Sequence, residues 1–221
     1  MRTRVRIAVP VWMVGGAIMV GACSRGASAP VAPLPSPKEI EAAPSPVIRS
    51  SIGARPAYRS PRDEAVTDAD LDALWARQIM VPVEGVARRA LRDDFAAARG
   101  GGQHRALDLL APRFTAVLAA DDCVIGRLST GPIGGIVVYA TDPTNQFVYY
   151  YAHLQRYRRG LAVGDRVAKG SVIGYVGTTG NAPANTPHLH FQVMKRGPGR
   201  AWWDGPSINP LPFFVSDGVR P

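Results

Sequence analysis

From Met80 onward the chain breaks into short apolar runs separated by Gly, Asp, Asn and Pro. The runs at 116–120, 135–140, 147–152, 172–176 and 189–194 are rich in Val, Ile, Tyr and Phe. They are too short for helices and are bounded by turn residues, so they predict strands. The piece 163–170 predicts a tight turn feeding the strand at 172. Ahead of the strands, Thr67-Asp68-Ala69-Asp70 reads as a helix start, with Thr67 as N-cap and acids in the first turn. Leu71, Leu74, Trp75, Gln78 and Ile79 follow at helical spacing, which predicts a short helix over 67–79 that the Pro82 segment ends. The pattern is an all-β domain over 80–212 with one helix in front and a tail at 213–221.

The first 66 residues have a different texture. Arg2, Arg4 and Arg6 precede an apolar stretch from Ile7 to Val20, which is shorter than the roughly 20 residues a spanning helix needs and is interrupted by Pro10, Gly15 and Gly16. A basic start, a short apolar run and small residues read as an export signal over 1–22. The run ends in Val20-Gly21-Ala22-Cys23, which resembles a lipobox, where the cysteine is acylated and becomes the new N-terminus. An ordinary signal peptide with a chance cysteine is the alternative. Acylation of Cys23 would anchor the protein to a membrane, since two or more chains hold where one does not. Ser24 leans towards the outer membrane, on the periplasmic side. Residues up to 66 are rich in Ala, Pro and Ser without apolar periodicity, and read as a disordered tether over 23–66. Such a tether reaches at most ~150 Å when extended.

The formal charge of +9 falls to +6 once three signal-peptide arginines are removed, which favours an anionic partner. For an exported protein, carboxylate-rich cell wall fits better than nucleic acid. With Cys23 acylated, Cys123 alone remains, so no intrachain disulfide forms. In the run Cys123-Val124-Ile125 it reads as a small core residue.

All four histidines fall in three motifs: His104 and Asp108 in HRALD, His153 in YYYAHL, His188 and His190 in PHLHF. Residues two apart on a strand share a face. That pairs His188 with His190 and turns Leu189 to the core. It also places His104 with Asp108 in an extended segment, and His153 with Tyr151, Tyr149 and Phe147. A hydrolytic zinc uses three protein ligands and leaves a fourth position for water. The metal lowers the water's pKa and polarises a carbonyl, while a histidine moves the proton. Five polar groups on one sheet surface supply three ligands and two for proton traffic. Closed structural zinc sites usually need cysteine clusters, and this chain has none. Gly100-Gly101-Gly102 is not a phosphate loop, because no Lys-Ser/Thr follows.

These motifs resemble the lysostaphin/LytM-type zinc metallopeptidases that cut peptidoglycan cross-bridges. The similarity runs over about 81–212, through DDFAAARGGGQHRALDLLAP, YYYAHLQRYRRGLAVGDRVAKGSVIGYVGTTGNA and PHLHFQV. The resemblance implies a compact antiparallel β-sheet or sandwich with a groove over one zinc ion. It implies His104, Asp108 and His190 as ligands, and His153 and His188 as catalytic histidines. It implies a zinc endopeptidase acting on stem peptides; in a Gram-negative envelope the target would be the D-alanyl to diaminopimelate bridge. Ala106 and Gln192 stand where many members have Gly and Glu, and Ala106 would sit near the groove floor. Tyr151, on the face of His153, either borders the substrate or packs within a Tyr-rich strand, and Asn185 and Thr186 are expected to border the substrate. Trp202 and Trp203 either pack the C-terminal segment or bind glycan or peptide.

Two other readings remain. Some members of the family have lost the key residues and only activate cell-wall amidases, whereas all five are present here. Residues 163–177 resemble the β-hammerhead of carrier domains, but no Met-Lys-Met-like turn is present. The helix before the domain could also make an inhibitory contact across the groove.

Overall fold

The computed structural model describes residues 66–100, 102–197 and 202–219. The expected signal peptide 1–22, Cys23 and the tether up to residue 65 lie outside the described residues.

The first element, α1 (Asp68–Ala76), starts as its sequence dictates. The Thr67 side chain accepts from the Asp70 N–H, and the Asp70 carboxylate accepts from the Thr67 N–H at 2.8 Å, a reciprocal capping box. The helix ends earlier than 67–79. Arg77 and Gln78 donate back to the carbonyls of Leu74 and Trp75, and Gln78, at φ 53°, turns the chain out of the helix. Pro82 therefore plays no part in stopping it. Leu71 and Leu74 are buried, and Trp75 meets Phe213 edge-on at 6.3 Å. No residue of the 67–79 segment lines the groove described below, which gives no support to an inhibitory contact by this helix.

The strands are β1 (Ala98–Arg99), β2 (Gly102–Gln103), β3 (Leu107–Leu110), β4 (Ala116–Leu118), β5 (Cys123–Gly131), β6 (Gly135–Thr141), β7 (Phe147–Tyr157), β8 (Arg166–Val167), β9 (Val172–Val176), β10 (His188–Lys195) and β11 (Ser207–Ile208). Two of them, β1 and β2, form a separate hairpin. The other nine make one antiparallel sheet ordered β11-β10-β7-β6-β5-β8, with β3 also on β10, and β9 joining β7 to β4. This is the all-β antiparallel architecture expected from the apolar runs. The sequence pattern missed β5, whose polar stretch from Arg127 to Gly131 hides an otherwise regular partner of β6.

One face of the sheet is the core. Tyr149, Tyr151, Leu189, Phe191 and Val193 are fully buried there, with Phe213 and Phe214 packed among them. Those last two residues correct the tail assignment. The segment from 213 to 218 joins the domain, through the Met80–Ser216 bridge and the Gly218 N–H on the Val86 carbonyl.

Asp121, only 2% exposed, lies at the edge of this core. Its Oδ2 accepts from Arg77 Nε at 2.6 Å and from the Tyr149 hydroxyl at 2.8 Å. A buried carboxylate is tolerated only with such partners, and deleting it strands a guanidinium and a phenol. Asp121→Ala is expected to cost about 3–5 kcal/mol of unfolding free energy in a denaturant titration. A loss below about 1 kcal/mol would show that the network contributes little.

Candidate metal centre

The strand register builds the site. His190 on β10 sits opposite Asp108 on β3 and opposite Ala152 on β7. Directly opposed residues on neighbouring antiparallel strands bring their side chains together. His188 lies two residues before His190 on the same face, as alternation predicts.

His104 arrives by a different route. It precedes β3 in a non-strand segment, and Arg105, at φ 58°, turns the chain between it and Asp108. The expected extended His104–Asp108 segment is therefore not what brings the two together. The His104 Nδ1–H donates to the Asp94 carbonyl at 3.1 Å, which turns Nε2 towards Asp108. Ala106 is fully buried and does not border the groove, so its methyl does not shape the floor.

Three donor atoms converge. His104 Nε2 is 2.9 Å from Asp108 Oδ1, His190 Nδ1 is 3.1 Å from the same oxygen, and the two nitrogens are 3.0 Å apart. Ligands at the ~2.0–2.1 Å bond lengths of tetrahedral zinc stand about 3.3 Å from one another. Two imidazoles and a carboxylate in a near-equilateral triangle of this size fit such an ion. Asp94, 3.6 Å from the far nitrogen of His104, stands behind it as metal-site carboxylates do.

His153 and His188 complete the cluster, with ring centroids 4.9 Å apart; His153 lies 5.7 Å from the ring of His190. Each gives its Nδ1–H to a backbone carbonyl at 2.8 Å: His153 to Thr179, His188 to Thr186. A carbonyl can only accept, so each Nδ1 carries a proton and each Nε2 is left uncommitted by these bonds. His188 Nε2 is 3.7 Å from Asp108 Oδ1, on the inner side of the groove.

His153 owes its position to a β-bulge. Tyr151 pairs with Val138 but Leu154 pairs with Ile136, so β7 carries one extra residue. His153 takes φ 59° there and donates its N–H to the Gly134 carbonyl at 2.8 Å. The bulge puts consecutive residues, Ala152 and His153, on the groove side. Tyr151 then points the other way: it is fully buried, and its hydroxyl accepts from the Ala120 N–H at 3.0 Å. The expectation that Tyr151 borders the substrate is thus corrected, and Tyr150 lines the groove instead. Gly177 and Gly180 clamp the bulge. A Cβ on Gly177 would collide with the backbone of Gln155 and His153, and one on Gly180, at φ 73°, with that of Ile133 and Gly135.

The groove, a cavity of about 490 Å³, is lined by the four histidines, Asp108 and Tyr150, with Arg99 and Gln103 on one wall. Leu110, Ile133, Asn181, Ala182, Pro183 and Thr186 line the remainder. Thr186 lines the groove as expected, whereas Asn185 is exposed and is not among the lining residues; Asn181 takes its place. Trp202 and Trp203 lie farther along the groove-side face, with Trp202 over Gly126 and Trp203 4.4 Å from the Arg127 guanidinium.

Electrostatics separates the histidines. Burial pushes His153 down to about 4, helped by the charges of His188 and His190 and only partly opposed by the Thr179 carbonyl. His153 is therefore neutral and free to accept a proton at any pH near 7. Burial works against charge on His104 too, but the hydrogen bonds and charges of Asp108 and Asp94 outweigh it and raise His104 to about 9. Burial also opposes charge on Asp108, and His104 and His190 more than reverse that, holding it well below the carboxylate range. A cation entering the triangle takes the place of the proton on His104.

An antiparallel sheet holding two imidazoles and a carboxylate at metal-ligand spacing, with the Nε2 atoms of two further histidines uncommitted beside them, has the make-up of a metal-dependent hydrolase domain. Residues 102–210 match Peptidase family M23. The chain carries a domain of that family, homologous to lysostaphin and LytM-type peptidoglycan endopeptidases. It is 37% identical over 94 residues to the peptidoglycan DD-endopeptidase ShyC of Vibrio cholerae, covering 42% of this chain and 21% of that protein. It is 33% identical over 131 residues to the L-Ala--D-Glu endopeptidase of Bacillus subtilis, covering 56% of this chain and 39% of that one. The chain thus spans well under half the length of either relative. The solved structure of lytM from Ruminococcus gnavus superposes with a TM-score of 0.54 at 25% identity, covering 65% of this chain and 61% of that chain.

Proposed function

We propose that this protein is a zinc-dependent endopeptidase that hydrolyses peptide cross-links of bacterial peptidoglycan. The observation that carries the reading is the complete set of groups: a three-donor triangle from His104, Asp108 and His190, and two histidines beside it with free Nε2 atoms. A bound zinc ion supplies Lewis acidity and makes water acidic enough to act near neutral pH. The rest is the work of the chain. His153, kept neutral by burial, is the group that takes a proton from the attacking water. His153 then delivers that proton to the leaving amine, while His188, fixed by Thr186, steadies the oxyanion through a proton on its Nε2. The open groove admits an extended peptide; ShyC is named as a peptidoglycan DD-endopeptidase and the B. subtilis relative as an L-Ala--D-Glu endopeptidase.

The same reading places the enzyme in the cell envelope. Acylated Cys23 would anchor it, facing the periplasm and most simply on the outer membrane, with the 23–66 tether carrying the domain to the wall.

The test is digestion of purified sacculi by the chain from Ser24 onward, with mass analysis of the fragments. Loss of cross-linked dimers with intact glycan strands, abolished by a chelator and restored by zinc, is the expected result. Intact sacculi in the presence of zinc-loaded protein would instead favour a regulator of another wall hydrolase.

A further inference from the structure

Arg99 is the one cation lining the groove among the described residues apart from the histidines, and the reactions assigned above do not use it. It stands on the β1–β2 hairpin, which forms no ladder with the main sheet and contributes Arg99 and Gln103 to the groove lining. Its Nη2 donates to Asp108 Oδ2 at 2.6 Å, while Oδ1 of the same carboxylate faces His104 and His190. The two oxygens are therefore divided: one for the triangle, one for Arg99.

That single bond uses one of the five N–H donors of a guanidinium. The side chain is 53% exposed, so the remaining donors are within reach of a ligand. Across the ladder from Arg99 is Gly102, which has no side chain, and a Cβ built there would meet nothing within 4 Å. The approach to the guanidinium is open. The groove also has an apolar rim at Leu110 and Ile133, 61% and 71% exposed. A planar cation beside small apolar surface suits a peptide that pairs a carboxylate with short alkyl side chains. Arg rather than Lys is suited to this because its fork matches a carboxylate bidentately.

We infer that Arg99 is the carboxylate-binding residue of this groove, so that the site prefers peptides with a free carboxylate beside the scissile amide over their carboxamide counterparts. The inference rests on the endopeptidase reading and narrows its substrate class to the acidic form of the stem peptide.

The experiment uses two synthetic cross-linked stem-peptide dimers that differ only in that one group, acid or amide. For the zinc-loaded protein, kcat/KM is expected to favour the acid roughly tenfold to hundredfold, the worth of one charge-assisted contact. Arg99→Gln is expected to abolish the preference by raising KM for the acid far more than for the amide, with zinc stoichiometry retained. Arg99→Lys should restore part of it. Equal losses on both substrates, or loss of zinc, would mean that Arg99 only braces Asp108, and the inference falls. It also falls if the unaltered protein does not discriminate. Calorimetry with the same pair N-methylated at the scissile amide reads the preference without turnover. Acid-selective binding without cleavage would retire the endopeptidase reading and keep Arg99; equal binding would do the reverse.

Discussion

Asp108→Ala is expected to fold and to lose its metal. The substitution leaves the β3–β10 ladder in place, because the register depends on main-chain bonds, and Leu107 and Leu109 still bury their side chains beside it. What disappears is the oxygen that lies 2.9 Å from His104 and 3.1 Å from His190. Two neutral imidazoles hold zinc far more weakly than two imidazoles and a carboxylate, since the anion supplies most of the charge compensation. Zinc content measured after dialysis should drop from about one per chain to near zero, and sacculus cleavage should fall by more than about a hundredfold. Circular dichroism should be unchanged. A folded variant that keeps stoichiometric zinc would remove Asp108 from the ligand set.

His188→Ala should give the opposite pattern: zinc stays and turnover goes. The His188 nitrogen that faces the groove is 3.7 Å from Asp108 Oδ1, outside the donor triangle, and its other nitrogen is committed to the Thr186 carbonyl. Loss of a positioned proton donor or oxyanion partner typically costs about 10²–10⁴ in rate. The expected fall is in kcat, with zinc content and KM for a cross-linked dimer little altered. A parallel loss of zinc would move His188 into the coordination sphere, and unchanged kcat would remove it from the chemistry.

The extent to which this site could be read from the sequence depends on where the backbone is regular. His188 and His190 sit in an ordinary strand, so alternation alone put both on one face and Leu189 in the core. Alternation failed at His153. YYYAHL looks like continuous strand, and the bulge that reverses the parity of Tyr151 depends on Gly134, Thr179 and Gly177, all distant in sequence. Arg105 and Gln78 fail for the same reason: a positive φ on a non-glycine residue leaves no mark in the pattern of apolar positions. The helix start, by contrast, is a local exchange between Thr67 and Asp70 and was legible in full. Division of the five polar groups into ligands and proton carriers came from family resemblance. Spacing could supply the number of groups but not the assignment.

β10 is bonded on both flanks, to β3 on one side and β7 on the other, and it carries two of the four histidines. Its amides can exchange with solvent only when the sheet itself opens, whereas the β1–β2 hairpin is tied to no such ladder. Heat or denaturant would therefore loosen the wall that meets the substrate before the strand that holds the metal. A partly stressed molecule would bind peptides poorly and yet still hold its ion, ready to regain function on cooling.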